Sequence, residues 1–100
     1  MGRPRLTPKI AYNLAVSLYA ASGECDTRLE RVIAQDAQYA YYYASFVLKA
    51  PWPEAEPVIM QSPEDAYSYA RFVLKAPWPE GEPAIAQVRF CAHMYIQDVI

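Results

Sequence analysis

The sequence predicts an all-α protein, an α-solenoid-like tandem array in which long and short helices alternate. A unit of 26 residues recurs along the chain. Within each unit, small apolar residues recur at helical spacing, and the two central units break the long helix with a proline, Pro51 or Pro77. A unit this short cannot bury its apolar face alone, so neighbouring units are expected to stack.

The two central copies define the repeat. Segments 46–61 and 72–87 are identical at 13 of 16 positions, with an offset of 26 residues. Weaker copies of the repeat flank these two. The first copy is longer in its middle, and the last copy stops halfway. We therefore divide the chain into repeats 7–35, 36–61 and 62–87 and a terminal half-repeat, 88–100. A basic N-terminal arm, 1–6, precedes this single helical domain and is expected to be flexible.

Each repeat is predicted to hold a long helix and a short helix, which makes seven helices in all. Asp36 and Ser62 are typical N-caps, and Gly23 is a typical helix-ending glycine. We expect the second long helix to end near Ala50, because proline disfavours helical geometry in the residue before it. One helical face of that helix carries the predicted core positions Ala40, Ala44, Val47 and Leu48.

The proline-rich connection after the long helix is predicted to be extended. Trp52 is expected to plug a gap between helices, and a short helix should follow over 54–60. Two glutamates lie in this segment, Glu54 and Glu56, and they recur as Glu80 and Glu82. We interpret them as solvated acidic residues at the positive end of the helix, rather than as a divalent-ion or acid–base site.

Composition limits the classes of function. The chain has 100 residues, of which 54% are hydrophobic and 20% charged, typical of one globular domain. Residues 10–100 hold six basic and eleven acidic side chains, a poor match for nucleic acid. We expect no membrane partner, because no apolar run is long enough to span a bilayer. The two cysteines lie far apart, which favours a reducing cytoplasm.

We predict that the protein is not an enzyme and holds no metal or cofactor. Metal sites need clustered ligands, and the chain has one histidine, His93, and two isolated cysteines, Cys25 and Cys91. Cys91 and His93 are two positions apart on a predicted helix, so they point in different directions. His93 stands where other repeats have tyrosine, and we expect it to pack on a flank.

The central copies carry a specific pattern, A-Y-x-Y-A-x-x-V-L-K-A-P-W-P-E-x-E-P. It resembles a short repeat found in phage and related viral proteins of mostly unassigned function. The resemblance covers 36–87 closely and implies a helical repeat fold and a phage or prophage origin. The first repeat departs most, because it lacks the proline and tryptophan of the connection.

The outward face of the long helices is the predicted partner-binding site. Its positions vary between copies whereas core positions repeat, and varied positions on a repeated scaffold are where specific contacts are usually made. Tyrosine and arginine are favoured at interfaces, and the face combines them with lysine. The predicted site residues are Tyr42, Ser45, Lys49, Ser68, Arg71 and Lys75.

These features favour a non-enzymatic protein-binding module. With a phage origin, we expect it to act in the cytoplasm of a bacterial host cell and engage a host protein, for example as an anti-CRISPR-type inhibitor of host defence. One alternative is a nucleotide or small-ligand sponge, in which Tyr42 stacks on a base beside Lys49 or Arg71. Another is a structural protein that self-associates into a homo-oligomer through the apolar terminal helix, 88–100.

Overall fold

The computed structural model of the protein describes residues 6–100, and residues 1–5 of the predicted N-terminal arm lie outside them. Within this part of the chain there are seven helices and no strand, so the predicted all-α array is confirmed. Four are long and three are short, and the two kinds alternate along the chain. The described residues measure 46 × 31 × 18 Å, which is a flat, elongated body.

Two helices open the array as regular α-helices: α1 spans Pro8–Ser22 and α2 spans Thr27–Ile33. The next long helix, α3, begins as α-helix over Ala37–Tyr42 and continues as π-helix over Tyr43–Leu48. The short helix α4 opens with a 3₁₀ turn, Pro53–Ala55, and continues as α-helix over Glu56–Ile59.

The third repeat copies the second in every element. Its long helix α5 comprises the α-helix Pro63–Ser68 and the π-helix Tyr69–Leu74. Its short helix α6 comprises the 3₁₀ turn Pro79–Gly81 and the α-helix Glu82–Ile85. The terminal long helix, α7, spans Arg89–Asp98 without a π segment.

The predicted helix boundaries are confirmed where a cap defines them. Asp36 accepts a hydrogen bond from the Tyr39 amide at 3.0 Å, and Ser62 accepts one from the Asp65 amide at 3.4 Å. Gly23 ends α1 in the left-handed conformation, with φ 71°. The long helix α3 ends at Leu48, two residues before Ala50, near which its end was predicted, and Lys49 is already left-handed.

Each long helix packs beside the next one and against the short helix of its own repeat. Close approach is possible because the contact positions are alanines with no exposed surface, Ala40, Ala44, Ala66 and Ala70. A short core side chain brings two helix axes together, and larger residues then fill the remaining space. The fully buried large residues are Tyr43, Tyr69, Ile33, Ile59 and Ile85.

A buried tyrosine joins each repeat to the one before it. The hydroxyl of Tyr43 donates to Glu30 Oε2 at 2.6 Å, and that of Tyr69 donates to Glu56 Oε2 at 2.6 Å. Tyr95 makes the same bond to Glu82 at 2.7 Å. Glu56 and Glu82 therefore differ from our expectation of simple solvation, because each accepts an inter-repeat hydrogen bond, whereas Glu54 and Glu80 are exposed as expected.

The tryptophan connection completes this junction. The backbone N–H of Trp52 donates to the Tyr69 hydroxyl at 2.9 Å, while the indole of Trp52 packs on the ring of Tyr43 at 5.0 Å between centroids. Trp78 repeats both contacts with Tyr95 and Tyr69. The prediction that Trp52 plugs a gap between helices is thus confirmed, and its neighbour on each side is a tyrosine.

The tyrosine hydroxyls stay protonated in this setting. Burial raises the pKa of Tyr69 above its ordinary value, and the hydrogen bond to the negatively charged Glu56 raises it further. The same two causes raise the pKa of Tyr95. Each hydroxyl therefore remains a donor to its glutamate at neutral pH while it accepts from the tryptophan amide.

We expect Tyr69→Phe to lower the free energy of unfolding by about 2 kcal/mol, because the Glu56 carboxylate and the Trp52 amide both lose their buried partner. Tyr39→Phe is the matched control, since no hydrogen bond of the Tyr39 hydroxyl is present among the described residues. That variant should change stability by less than about 0.5 kcal/mol. Urea unfolding followed by circular dichroism measures both, and equal effects would contradict the junction's role.

Candidate functional site

A cavity of about 330 Å³ lies between the C-terminal halves of the two central long helices. It is lined by Ala44, Ser45, Lys49, Phe72, Val73 and Lys75. Three of the six predicted partner-binding residues, Ser45, Lys49 and Lys75, therefore meet at one place. We call this cavity, together with the exposed ring of Phe72 that lines it, the basic–aromatic face.

The other three predicted residues do not line the cavity. Ser68 is half-buried one turn before it. Arg71 donates to the Tyr67 hydroxyl at 2.9 Å and lies 3.3 Å from Asp98 Oδ2, so it joins the third repeat to the terminal helix. Its guanidinium also lies 4.8 Å from the centre of the Phe72 ring, where a cation–π interaction holds that ring in place.

Arg71, Tyr67 and Asp98 are each in contact with the other two through hydrogen bonds and an ion pair. The hydroxyl of Tyr67 donates to Asp98 Oδ2 at 2.8 Å. Burial, together with this hydrogen bond, raises the pKa of Tyr67, so the hydroxyl remains a donor. Arg71 is therefore engaged within the protein, and its contribution to the face is to orient Phe72.

Tyr42 belongs to an aromatic cluster that spans the first two repeats. Its ring lies 5.7–6.0 Å from the rings of Tyr12, Tyr39, Tyr41 and Phe46. Its hydroxyl accepts a hydrogen bond from Gln38 Nε2 at 2.9 Å. The structure thus does not place Tyr42 in the cavity beside Lys49, which is the arrangement that base stacking with a phosphate contact would need.

Phe46 and Phe72 lie at the surface, although they were not among the predicted surface residues. α-Helical spacing places Phe46 and Phe72 on a flank of the core face, where they would pack between repeats, but their side chains are 60% and 48% exposed. Both phenylalanines lie within the π-helical segments that begin at Tyr43 and Tyr69. The hydrogen bonds of such a turn span five residues, as from the Lys75 amide to the Ala70 carbonyl at 2.8 Å.

Both cavity lysines have a backbone conformation that favours glycine. Lys49 has φ 53° and Lys75 has φ 56°, and they are the described residues other than glycine with positive φ. Neither lysine has an ion-pair partner within the described part of the chain. Unusual backbone geometry and π-helical turns both concentrate at functional sites, and here the two features coincide at one cavity.

The residues with chemical reactivity lie apart from this face. Cys25 is exposed and Cys91 is buried, and burial raises the pKa of the Cys91 thiol. His93 is exposed, so the expectation that it packs on a flank is wrong. In the described part of the chain no three side chains of histidine, cysteine, aspartate or glutamate come together as a metal site would require.

We expect Lys49→Gly and Lys75→Gly each to raise the free energy of unfolding by about 1 kcal/mol, because glycine adopts positive φ without the steric cost of a Cβ atom. Lys49→Ala keeps that cost and should shift stability by less than about 0.5 kcal/mol. Thermal and urea unfolding measure these changes. A glycine variant less stable than the wild type would show that the lysine side chains support the fold.

Comparison with protein-family profiles, with curated proteins and with solved structures found no match. Among residues 6–100, no helix is both long and apolar enough to cross a bilayer.

Proposed function

We propose that the chain is a protein-binding module that recognises an acidic segment of its partner through the basic–aromatic face. The observation that carries this proposal is the cavity in which Lys49 and Lys75, which have no ion-pair partner among residues 6–100, adjoin the exposed ring of Phe72. Carboxylates of a partner would pair with the lysines. An apolar side chain beside them would pack on the Phe72 ring.

The energetics favour a protein partner over a small ion. An exposed lysine–carboxylate pair contributes little by itself, so charge complementarity alone gives weak binding. Exposed aromatic rings add apolar area that becomes buried on association, and aromatic residues are enriched in protein interfaces. The face supplies both kinds of contact on helices whose positions are held by the tyrosine junctions.

The resemblance to phage repeats directs the search for the partner. With that origin the protein would act in the cytoplasm of a bacterial host cell and engage a host protein. Inhibition of a host defence system, of the anti-CRISPR type, is one concrete form of this proposal. The acidic body of the chain supports a protein partner rather than nucleic acid, because phosphate backbones require clustered lysine and arginine.

Self-association through α7 is a second candidate, favoured by a specific observation. Ile96 and Ile100 are 63% and 72% exposed, and they border a cavity of about 200 Å³ with Ile85 and Ala86. In the interior repeats the equivalents Ala70 and Leu74 are buried or half-buried. A second copy packed on this surface would cover the two isoleucines.

The test uses the double variant Lys49→Gly/Lys75→Gly. It removes both lysine side chains, and each of the two substitutions is expected to stabilise the fold. Tagged wild type, Lys49→Gly/Lys75→Gly and Phe72→Ala are each used to capture proteins from a host lysate with and without nuclease treatment. The control is Lys9→Ala/Arg89→Ala, which removes two exposed positive charges elsewhere. Light scattering of each variant measures its oligomeric state.

We expect the wild type and the control to retain one host protein at stoichiometric amounts. Lys49→Gly/Lys75→Gly should lose it, and the recovered partner can then be titrated to measure the effect of Phe72→Ala. Retention by every variant, or loss of the partner after nuclease treatment, contradicts the proposal. A concentration-dependent dimer that Ile96→Ser converts to a monomer would favour the second candidate instead.

A further inference from the structure

A larger groove lies between the first two short helices and shares no residue with the basic–aromatic face. Its volume is about 640 Å³, which is within the usual range of small-molecule sites. Residues of α2, the end of α3 and the start of α4 form its walls. The lining residues are Thr27, Glu30, Arg31, Ala34, Leu48, Trp52 and Glu54.

The repeat register shows how this groove differs from the next junction along the array. Three lining positions of α2 depart from their equivalents 26 residues later. Thr27 replaces Pro53, Arg31 replaces Pro57 and Ala34 replaces Met60. The first two changes add hydrogen-bond donors. The third removes a long side chain that, in the second repeat, packs against the core.

The groove therefore has space where the second repeat has methionine. Its remaining apolar surface comes from Ala34, Leu48 and the buried indole of Trp52. An aliphatic side chain of about the size of methionine would restore the packing that Met60 provides one repeat later. This requirement defines the apolar part of an occupant.

The polar lining carries both signs of charge. Arg31 and Glu54 are exposed, and neither has an ion-pair partner among residues 6–100. Glu30 is already engaged by the Tyr43 hydroxyl, although a carboxylate can accept further hydrogen bonds. Arg31 and Thr27 thus offer donors to an anionic group, and Glu54 offers an acceptor to a cationic group.

From this arrangement we propose that the groove binds a short zwitterionic peptide that carries an aliphatic side chain. The terminal carboxylate pairs with Arg31, the terminal ammonium group pairs with Glu54, and the aliphatic side chain lies against Ala34, Leu48 and Trp52. A purely anionic ligand would meet the two glutamates, and a purely cationic ligand would meet the arginine. A ligand with both charges pairs with both Arg31 and Glu54.

The test is an NMR titration of the ¹⁵N-labelled full chain with the dipeptide methionyl-leucine at millimolar concentrations. Its N-acetylated form lacks the ammonium group, and its C-terminal amide lacks the carboxylate. We expect the intact dipeptide to shift the amides of 27–34 and those of Trp52 and Glu54. Each capped form should bind about fivefold more weakly, as expected for the loss of one exposed charge pair.

Two variants separate groove binding from general surface binding. Ala34→Met restores the residue of the second repeat, so it should fill the groove and abolish the shifts. Ala86→Met adds the same side chain at the equivalent position of the third repeat and should bind as the wild type does. Arg31→Gln should weaken the intact dipeptide about fivefold and leave the C-terminal amide unaffected.

Several results would overturn the proposal. These are the absence of shifts with methionyl-leucine, equal binding of the capped and intact forms, and undiminished binding by Ala34→Met. Capture of the host protein through Lys49 and Lys75 would be unchanged in any of these cases. The two proposals can therefore fail independently.

Discussion

The array depends on one buried hydrogen-bonded group, the tyrosine hydroxyl that lies between two repeats. Tyr69 donates to Glu56 and accepts from the amide of Trp52, both in the preceding repeat, and Tyr95 does the same one repeat later. An unpaired polar group costs free energy when it is buried. Removal of the glutamate, the tryptophan amide or the tyrosine hydroxyl therefore leaves a buried partner without its hydrogen bond. Because the indole of that tryptophan packs on the tyrosine of its own repeat, each junction is linked to the next.

The same tyrosines link the core to the surface where we place partner binding. Tyr43 and Tyr69 each stand at the first position of a π-helical segment. Phe46 and Phe72 are exposed within these segments, and each segment ends at a lysine held in the left-handed conformation. The basic–aromatic face is therefore a consequence of how the long helices end, and the buried junction positions those ends relative to each other.

Much of the fold could be predicted from the sequence because it repeats. The 26-residue period, the caps at Asp36, Ser62 and Gly23, and the proline after each central long helix each have a local physical meaning. What local rules could not predict was the partner of the Glu56 carboxylate, since that hydrogen bond joins two repeats. The face was found only in part: Ser45, Lys49 and Lys75 line the cavity, but Tyr42 packs in an aromatic cluster and Arg71 bonds to the terminal helix, and both sets of contacts join residues distant in the sequence. Phe46 and Phe72 do recur in both copies, but recurrence alone does not distinguish a packed position from a shared exposed one.

The most direct test of the junction is amide hydrogen exchange at Trp52 and Trp78, measured by NMR. Both amides lie in connections between helices, where exchange is ordinarily fast. Because their acceptors are buried tyrosine hydroxyls, we expect them to exchange as slowly as the amides within the long helices. The amide of Cys25, in the connection of the first repeat that lacks the tryptophan, should exchange fast. Exchange of Trp52 and Trp78 at the rate of Cys25 would contradict the account, because the tyrosine junctions would then not hold the repeats together.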